Sequence, residues 1–576
     1  MSAAPVSAPQ PVAGVTSAAG GKLPTSRLSR VDIWVGSSTV LSLFYLVIVV
    51  WPMIMVLRNS FLNTAGALSL ASFGRFFQSK LYLLSLGHSL IIGVGVTALA
   101  LVVAYPLAYA LTMFKVRGKA AIQVLVLASM MSPPFIGAYS WIILLGNNGV
   151  VTQALRRLTG IDVPSIYGLP GILTVLTLQL VPLIFTYLMG AWRTVDESLL
   201  EAAESMGCTG ARRAFRVVAP LLIPTVLAGS LLVFVRAFAD FGTPMLIGKG
   251  YQTMPYQIYS AATGEVSQNM SFAAALSVIV IVLTLAIFFV QKYVSSRNSF
   301  TMTALRPIQP KTMRTGSSVL VHVLVYGYLF VSLVPLLVVI VSGFRKTVMG
   351  QFVPGLHFTL ANFTSASRDI EKYVRNTFVI GLSALVLLVV VAVIMAYISV
   401  RRPNPVNKIL DTLSMVPYVV PGLVIGIAFM LTFSNGPLRL TGTATIMVIA
   451  LMIRRLPYTV RSTAALLSQQ SPSIEEAAQS LGASKLKTLL RVMVPALAPG
   501  IFSGAVLSWV TIITELSTTL FLYTSKTQTM SLGIYATVVR SQFGTASALA
   551  TILLVITILS LVLLMKLPGG SDNLKV

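Results

Sequence analysis

Six charged residues lie within or close to long apolar segments of the sequence, where a charge requires a partner or a polar cavity. A charge at the centre of a lipid bilayer costs about 2.5–3.5 kcal/mol on insertion scales, so such residues usually pair or face a water-filled path. Two interpretations follow, a polar path through the membrane and a set of structural ion pairs. The residues are Arg236, Asp240, Arg454, Arg455, Arg461 and Glu515.

The spacing of these charges indicates which of them can pair. Arg236 and Asp240 are four residues apart, so on one helix they would share a face and form an ion pair. Glu515 lies far along the chain from Arg454 and Arg455, and it can pair with either only across two helices. The two interpretations are compatible if the pairs break when a path opens.

The apolar residues are grouped in blocks of about 18–25, the length of a helix that crosses a hydrocarbon core of about 30 Å. Of the 576 residues, 56 % are hydrophobic and 10 % are charged, which excludes a soluble globular enzyme. An all-α membrane protein is predicted, because open strands would leave backbone groups unsatisfied in lipid. About twelve spans are predicted, at 32–57, 86–113, 120–145, 169–192, 219–247, 271–294, 316–342, 375–399, 409–434, 443–467, 495–523 and 544–565.

The net charge of +26 is explained by membrane topology, without a nucleic-acid partner. Lys and Arg collect in the cytoplasmic loops of membrane proteins, and with the N-terminus inside, the inner segments hold more of them than the outer ones. We therefore predict a multi-pass protein of a bacterial inner membrane with both termini cytoplasmic. The single cysteine excludes an intramolecular disulfide, and three widely spaced histidines give no metal-ligand pattern.

An internal repeat divides the chain into two halves of about six spans. The segment that begins at Glu201 recurs at Glu476, and Asp240 and Glu515 keep the same separation, which we call the repeat offset. Because six spans separate equivalent points, the halves are predicted to be parallel and related by a pseudo-two-fold axis along the membrane normal. The predicted divisions are a disordered cytoplasmic tail at 1–31, a first half at 32–294, a cytoplasmic linker at 295–315, a second half at 316–566 and a C-terminal tail at 567–576.

Each half contains a long cytoplasmic loop with the same unusual spacing. The loop has Glu-Ala-Ala, three further residues, a glycine, nine residues, a valine and then a proline three positions on. This pattern predicts a short amphipathic helix, a sharp turn at the glycine, and a second short helix ended by proline. Two copies at equivalent positions make a chance match remote. The residues are Glu201, Ala202, Ala203, Gly207, Pro220, Glu476, Ala477, Ala478, Gly482 and Pro495.

These loops resemble the Glu-Ala-Ala loop of the permeases of binding-protein-dependent ATP-binding-cassette importers, and the resemblance covers nearly the whole chain. It implies a coupling helix that docks in a cleft of a cytoplasmic ATPase, two ATPase copies for two loops, and an extracytoplasmic substrate-binding protein. The chain has no Walker A sequence, so we expect it to bind no cofactor and to be no enzyme, with ATP used by the partner. Ala219 departs from the pattern, since a larger aliphatic residue is common there.

Three further stretches are similar to a fused twelve-span subgroup for ferric iron, whose relatives serve thiamine, polyamines and 2-aminoethylphosphonate. Ferric iron is the cargo that this resemblance predicts. Three arginines on one span would suit 2-aminoethylphosphonate, another small anion, or a ferric ion carried with an anion, and would suit a polyamine poorly. The stretches are Ala239-Asp-Phe-Gly-Thr-Pro244, Arg455-Leu-Pro-Tyr-Thr-Val-Arg461 and Glu515-Leu-Ser-Thr-Thr-Leu.

A proton-coupled secondary transporter is the alternative class. It would also explain about twelve spans and a parallel repeat, and Asp240 and Glu515 could serve as its proton relay. It would not explain two matching Glu-Ala-Ala loops. An integral-membrane enzyme is the weakest alternative, because no group of His, Asp and Glu has catalytic spacing.

Overall fold

The fold is known from a computed structural model that describes most of the chain. The predicted tails at 1–31 and 567–576 lie outside the described residues, and so do residues 298–305, 307 and 314 of the predicted linker at 295–315. The described residues are 33–63, 65–129, 134–160, 165–192, 195–264, 269–297, 306, 308–313, 315–353, 355, 357–434 and 438–566.

Helices form most of the first half, as expected for a chain whose backbone groups must be satisfied within lipid. Two of its helical segments include a π-helical turn, at Leu46–Val50 and Ala214–Val218. The helices are Ile33–Tyr45 (α1), Trp51–Ser60 (α2), Ala71–Gln78 (α3), Lys80–Met113 (α4), Lys119–Ser129 (α5), Pro134–Leu145 (α6), Val150–Thr159 (α7), Leu169–Trp192 (α8), Glu197–Ser205 (α9), Gly210–Arg213 (α10), Ala219–Phe238 (α11), Gly242–Ile247 (α12), Met254–Thr263 (α13) and Met270–Arg297 (α14).

The second half repeats this order and adds one small hairpin. Strands Thr347–Val348 (β1) and Gln351–Phe352 (β2) pair antiparallel, with Thr347 opposite Phe352. A π-helical turn at Leu489–Met493 and a 3₁₀ turn at Thr519–Phe521 flank the penultimate long helix. The helices are Thr315–Phe344 (α15), Ala361–Arg401 (α16), Pro405–Val419 (α17), Gly422–Phe433 (α18), Ala444–Gln469 (α19), Ser473–Ser480 (α20), Lys485–Thr488 (α21), Val494–Ile513 (α22), Met530–Val539 (α23) and Phe543–Lys566 (α24).

Within the described residues, nine helical segments are long and apolar enough to cross a membrane, and α17 with α18 makes up to ten. These two helices meet at an angle of 109°, so they form a broken span or a re-entrant loop. The prediction of about twelve spans is reduced for two reasons. The third predicted span falls on α5 and α6, which are separated by undescribed residues 130–133. The tenth falls on α19, which carries three arginines.

The two halves share one architecture, and each is built around the same three helices. α8, α9 and α11 in the first half correspond to α19, α20 and α22 in the second at the repeat offset. The π-helical turns that precede α11 and α22 also keep this offset. The chain is therefore an all-α membrane protein made of two parallel repeats, as the sequence predicted.

The halves exchange their first helices. α1 and α2 pack on α17 and α18 of the second half, and α15 packs on α5 and α6 of the first. Ser38 Oγ donates to Asn407 Oδ1 at 2.5 Å, and Tyr326 donates to the Arg117 carbonyl at 2.9 Å. The main hydrophobic core accordingly includes residues of both halves. This exchange ties the halves together at their edges and leaves α8, α11, α19 and α22 to face each other at the centre.

Candidate functional site

A cavity of about 540 Å³ lies between the two halves. Its walls come from α8, α11 and α14 of the first half and from α17, α19 and α22 of the second. The structure brings all six charged residues predicted from the sequence to this one cavity. They are Arg236, Asp240, Arg454, Arg455, Arg461 and Glu515.

Glu515 is the centre of a buried ion-pair cluster. One of its carboxylate oxygens accepts from Arg454 and the other from Arg455, across the gap between α19 and the end of α22. The Thr518 backbone N–H and hydroxyl add donors to the first oxygen at 3.0 and 3.1 Å. Because the Glu515 side chain is only 5 % exposed, this charge depends on its partners. The cross-helix pairing predicted from the sequence is thus present, and its part in a path stays a prediction.

The predicted ion pair between Arg236 and Asp240 is wrong. α11 ends at Phe238, so Asp240 lies in the turn that follows and does not share a helix face with Arg236. The Asp240 carboxylate accepts from the Thr243 N–H at 2.8 Å, in the first turn of the short helix α12. Arg236 donates instead to the hydroxyl of Tyr458 on α19, a contact that joins the two halves.

Arg461 is more exposed than Arg454 and Arg455. Its Nη2 donates to Asp411 Oδ2 at 3.0 Å, and the arginine side chain is 47 % exposed. Asp411 was not singled out from the sequence, although it falls in the predicted ninth span at 409–434. An acidic residue inside a predicted span was the signal that could have identified it.

Tyr458 and Tyr418 also line the cavity, and the sequence reasoning did not include them. Their rings contact each other edge to face, with centroids 5.3 Å apart. Tyr458 follows Arg454 by four residues, so the helical period placed it on the same face of α19. That spacing was available in the sequence, whereas its contact with Arg236 of the other half was not.

The two Glu-Ala-Ala loops have the same backbone geometry. Gly207 and Gly482 follow α9 and α20 with φ of +76° and +85°, the left-handed region in which a helix is commonly ended by glycine. The next residue closes each turn through its backbone N–H, from Cys208 to the Ala203 carbonyl at 2.8 Å and from Ala483 to the Ala478 carbonyl at 3.1 Å. The predicted sharp turn at the glycine is therefore present in both copies.

The prediction that proline ends the second short helix is wrong. Pro220 and Pro495 are the second residues of α11 and α22, helices that follow directly on a π-helical turn, so neither proline ends a helix. A π-helical turn precedes each proline and carries the chain without a break from the loop into the long helix. Each loop is thus continuous with a helix that lines the cavity, which the sequence pattern did not predict.

An exposed apolar side chain stands at the tip of each loop, immediately before the glycine. Met206 is 80 % exposed and Leu481 is 89 % exposed, and the two positions are related by the repeat offset. The motif glutamates Glu201 and Glu476 are exposed on the helices that lead to these tips. Each loop thus exposes one large apolar side chain at an equivalent position.

A match to a known protein family identifies the class of protein that has this architecture. The model of the binding-protein-dependent transport system inner membrane component matches residues 97–300 and again residues 388–567. The chain belongs to this family. Each match covers one Glu-Ala-Ala loop and the long helices on both sides of it, so the family member is a fusion of two such units.

Three individual relatives are similar to large parts of this chain. The ferric transport system permease protein FbpB of Actinobacillus pleuropneumoniae is 28 % identical over 78 % of this chain and 66 % of its own length. A putative ferric transport system permease protein, FbpB 1 of Haemophilus influenzae, is 28 % identical over 74 % of this chain and 68 % of its own length. The chain thus spans about two thirds of these relatives. A putative 2-aminoethylphosphonate transport system permease protein, PhnU of Salmonella typhimurium, is 27 % identical over 43 % of this chain and 87 % of its own length.

In this family member the first loop is held by the segment that joins the halves. The Arg306 N–H donates to Asp196 Oδ2 at 3.0 Å, and the Arg306 carbonyl accepts from the Glu197 N–H at 3.0 Å. Lys311 Nζ lies 3.5 Å from Glu204 Oε2. Lys311 and Arg213 hold the pKa of the Glu204 carboxyl below its ordinary value. Acidic groups of α9 are therefore matched by cations from residues 306–311.

The second loop is anchored differently, to a long helix of its own half. Arg401 Nε donates to Glu475 Oε1 at 2.7 Å, and the Tyr397 hydroxyl donates to the other carboxylate oxygen at 2.6 Å, which ties α20 to the end of α16. The residue equivalent to Glu475 in the first loop is Leu200, a buried apolar residue. Both loops thus expose an apolar residue at the tip, but different contacts hold the helix that leads to each tip.

Reversing the charges of Arg306 and Lys311 together is expected to loosen only the first loop. Arg306→Glu with Lys311→Glu should raise amide exchange in α9 roughly threefold to tenfold. The two changes remove the ion pair of Arg306 with Glu201, at 3.8 Å, and that of Lys311 with Glu204, and exposed ion pairs contribute about 0.2–1 kcal/mol each. Hydrogen–deuterium exchange with mass spectrometry measures this change, and α20 serves as an internal reference. Arg212→Glu makes the same type of charge change on the exposed surface of the first loop and should leave α9 unchanged. If exchange in α9 of the double variant rises no more than exchange in α20, Arg306 and Lys311 do not stabilise the first loop.

Proposed function

We propose that this chain is the membrane-spanning permease of an ATP-driven, binding-protein-dependent importer. The observation that carries the proposal is the pair of Glu-Ala-Ala loops with one turn geometry and one exposed tip, in a chain of this family. Each loop continues into a helix that lines the central cavity. Movement of the loops therefore has a direct mechanical route to the cavity walls.

The mechanism that suits this arrangement is alternating access. A cytoplasmic ATPase docks on each loop, at Glu201–Gly207 in the first half and Glu476–Gly482 in the second, so two copies serve one chain. Closure of the ATPase pair brings the loops together and rocks α11 and α22 against each other. A substrate-loaded extracytoplasmic protein then delivers its cargo to the opened cavity. The chain itself hydrolyses nothing.

The six charged residues of the cavity are proposed to line the path of the cargo. Arg236 of α11 contacts Tyr458 of α19, so this bond joins elements that the rocking motion would separate. The cluster of Arg454, Arg455 and Glu515 lies within the second half and would move as one unit. We therefore expect the first contact to break in each transport cycle and the second to persist.

Ferric iron is the proposed cargo, because two of the similar proteins are named as ferric transport permeases. A small anion such as 2-aminoethylphosphonate is the second candidate, since four arginines line the cavity and a putative permease for that compound is also similar. The distribution of Lys and Arg supports a bacterial inner-membrane location with both termini cytoplasmic.

Co-purification from the native membrane in mild detergent tests the proposal. Mass spectrometry and subunit stoichiometry should find a P-loop ATPase at about two copies per chain, one for each loop. Uptake by vesicles should require ATP and the binding protein. A chain that purifies alone and transports under a proton gradient without ATP would refute the proposal and would favour a secondary transporter.

A further inference from the structure

The charges around the cavity do not follow the two-fold symmetry of the fold. At the repeat offset, Arg454 and Arg455 of α19 correspond to Gln179 and Leu180 of α8. The carboxylates do follow the symmetry, since Glu515 corresponds to Asp240. The first half therefore keeps the acid but has a neutral amide and an apolar side chain where the second half has two guanidinium groups.

This asymmetry leaves the described lining of the cavity with more positive than negative charge. Glu515 carries one negative charge and contacts two guanidinium groups, so one positive charge in the cluster is not neutralised. Arg236 donates to the hydroxyl of Tyr458 and not to a carboxylate, and with Asp240 counted the lining holds four arginines against two carboxylates. Buried charge without a counter-charge is costly, and the usual compensation is an ion of opposite sign.

Two buried polar atoms of the cavity lining lack a partner and are available to a bound ion. In the described part of the chain, neither Arg455 Nε nor Gln179 Oε1 has a hydrogen-bond partner. Both residues line the cavity, one from each half. Arg455 Nε is a donor and Gln179 Oε1 is an acceptor, so a ligand that satisfies both must accept one hydrogen bond and donate another.

We propose that the cavity holds a binding site for a small oxyanion that also carries a hydrogen-bond donor. Arg455 and Arg236 bind the anionic oxygens, for which the planar guanidinium is well suited. Gln179 accepts from the donor group and so distinguishes such a ligand from a simple anion. Glu515 is a positioning residue that fixes the guanidinium of Arg455 from the other side. This proposal rests on the proposed function, because it assigns the chemistry of the cargo that crosses the cavity.

The anionic oxygens could belong to a free organophosphonate or to an oxyanion that coordinates ferric iron. The volume of about 540 Å³ is within the range of sites for small ligands and admits both. Both sources share the oxygens that the arginines recognise. A bare metal cation or an aliphatic polyamine would add positive charge to a cavity that already has an excess of it.

Binding to the purified full-length chain in lipid nanodiscs tests this site. The probe is 2-aminoethylphosphonate, and its two comparators are ethylphosphonate, which lacks the amine, and ethanolamine, which lacks the phosphonate. Calorimetry should find binding in the order 2-aminoethylphosphonate, ethylphosphonate, ethanolamine. Citrate and ferric citrate form a second arm. Tighter binding of ferric citrate than of citrate and of either phosphonate would assign the oxygens to an iron complex.

Three variants make the test specific to the assigned residues. Arg455→Gln should weaken the binding of either phosphonate by about tenfold or more, because a charge-assisted hydrogen bond is lost. Gln179→Leu changes no charge and should abolish only the preference for 2-aminoethylphosphonate over ethylphosphonate. Arg58→Gln, an exposed arginine of α2 outside the cavity, should bind like the natural chain.

The proposal is overturned if no oxyanion binds more tightly than ethanolamine, or if Gln179→Leu and a folded Arg455→Gln both bind like the natural chain. Co-purification of the ATPase separates this failure from failure of the proposed function. A chain that retains its ATPase but binds no oxyanion refutes the site alone. A chain that binds oxyanions but never retains an ATPase refutes the importer alone.

Discussion

Replacing Glu515 with glutamine is expected to lower the free energy of unfolding of this permease by about 3–5 kcal/mol. The change removes the carboxylate that Arg454 and Arg455 share and leaves two buried guanidinium groups without a counter-charge. Glutamine keeps a carbonyl oxygen that can still accept from the Thr518 N–H, so the loss reports mainly on charge. Unfolding by titration with a denaturing detergent in mixed micelles measures the effect.

The repeat provides a matched control for this prediction. Asp240→Asn makes the same chemical change at the equivalent position of the first half, where the carboxylate accepts from the Thr243 N–H and none of the described residues forms an ion pair with it. We expect a loss below about 1 kcal/mol there, because asparagine keeps an oxygen that can accept from the Thr243 N–H and a neutral hydrogen bond contributes about 1 kcal/mol. Arg454→Gln added to Glu515→Gln should recover part of the larger loss. Equal losses for the two single variants would show that the arginine cluster does not depend on Glu515.

The second large effect is expected at the loop tips. Changing Met206 and Leu481 together to aspartate should abolish retention of the ATPase, because each apolar side chain would contribute about 1.5–3 kcal/mol when it is buried in a partner. Each single variant should weaken retention by about tenfold to a hundredfold. The protein should still insert and fold, since both side chains are exposed and make no part of the core. Subunit stoichiometry after affinity purification measures the result.

The control for the tips is an equally exposed apolar residue elsewhere. Leu68 is 84 % exposed in the loop between α2 and α3, which the predicted topology places on the outer face. Leu68→Asp should retain two ATPase copies. Normal retention by the double tip variant would exclude Met206 and Leu481 from the docking surface, and retention of one copy by a single variant would show that the two loops bind independently.

Local patterns in the sequence were sufficient for much of this protein. Apolar blocks of membrane length predicted the positions of the long helices, because the hydrocarbon core sets the length of a span. The constant repeat offset predicted two parallel halves, and the spacing from Glu201 to Gly207 predicted a helix ended by a sharp turn. Each of these patterns can be read along the chain without knowing which helices pack together, so the chain order alone carries them.

Contacts between elements that are far apart in the chain could not be predicted from the sequence. Arg236 and Asp240 have helical spacing, but the chain leaves the helix at Phe238, so Arg236 contacts Tyr458 of the other half instead. Glu515 could pair with either arginine in the sequence, and only the packing of α19 against α22 brought both to its two oxygens.

The sequence by itself determined the membrane class, the repeat, the loops and the set of six charged residues. Tertiary structure decided the exchange of the first helices, the partners of each charge and the positive excess at the cavity. The physical reason is the distance along the chain over which each interaction acts. Helix formation and turns are governed by residues up to about four positions apart, whereas the balance of buried charge depends on which helices face each other across a gap.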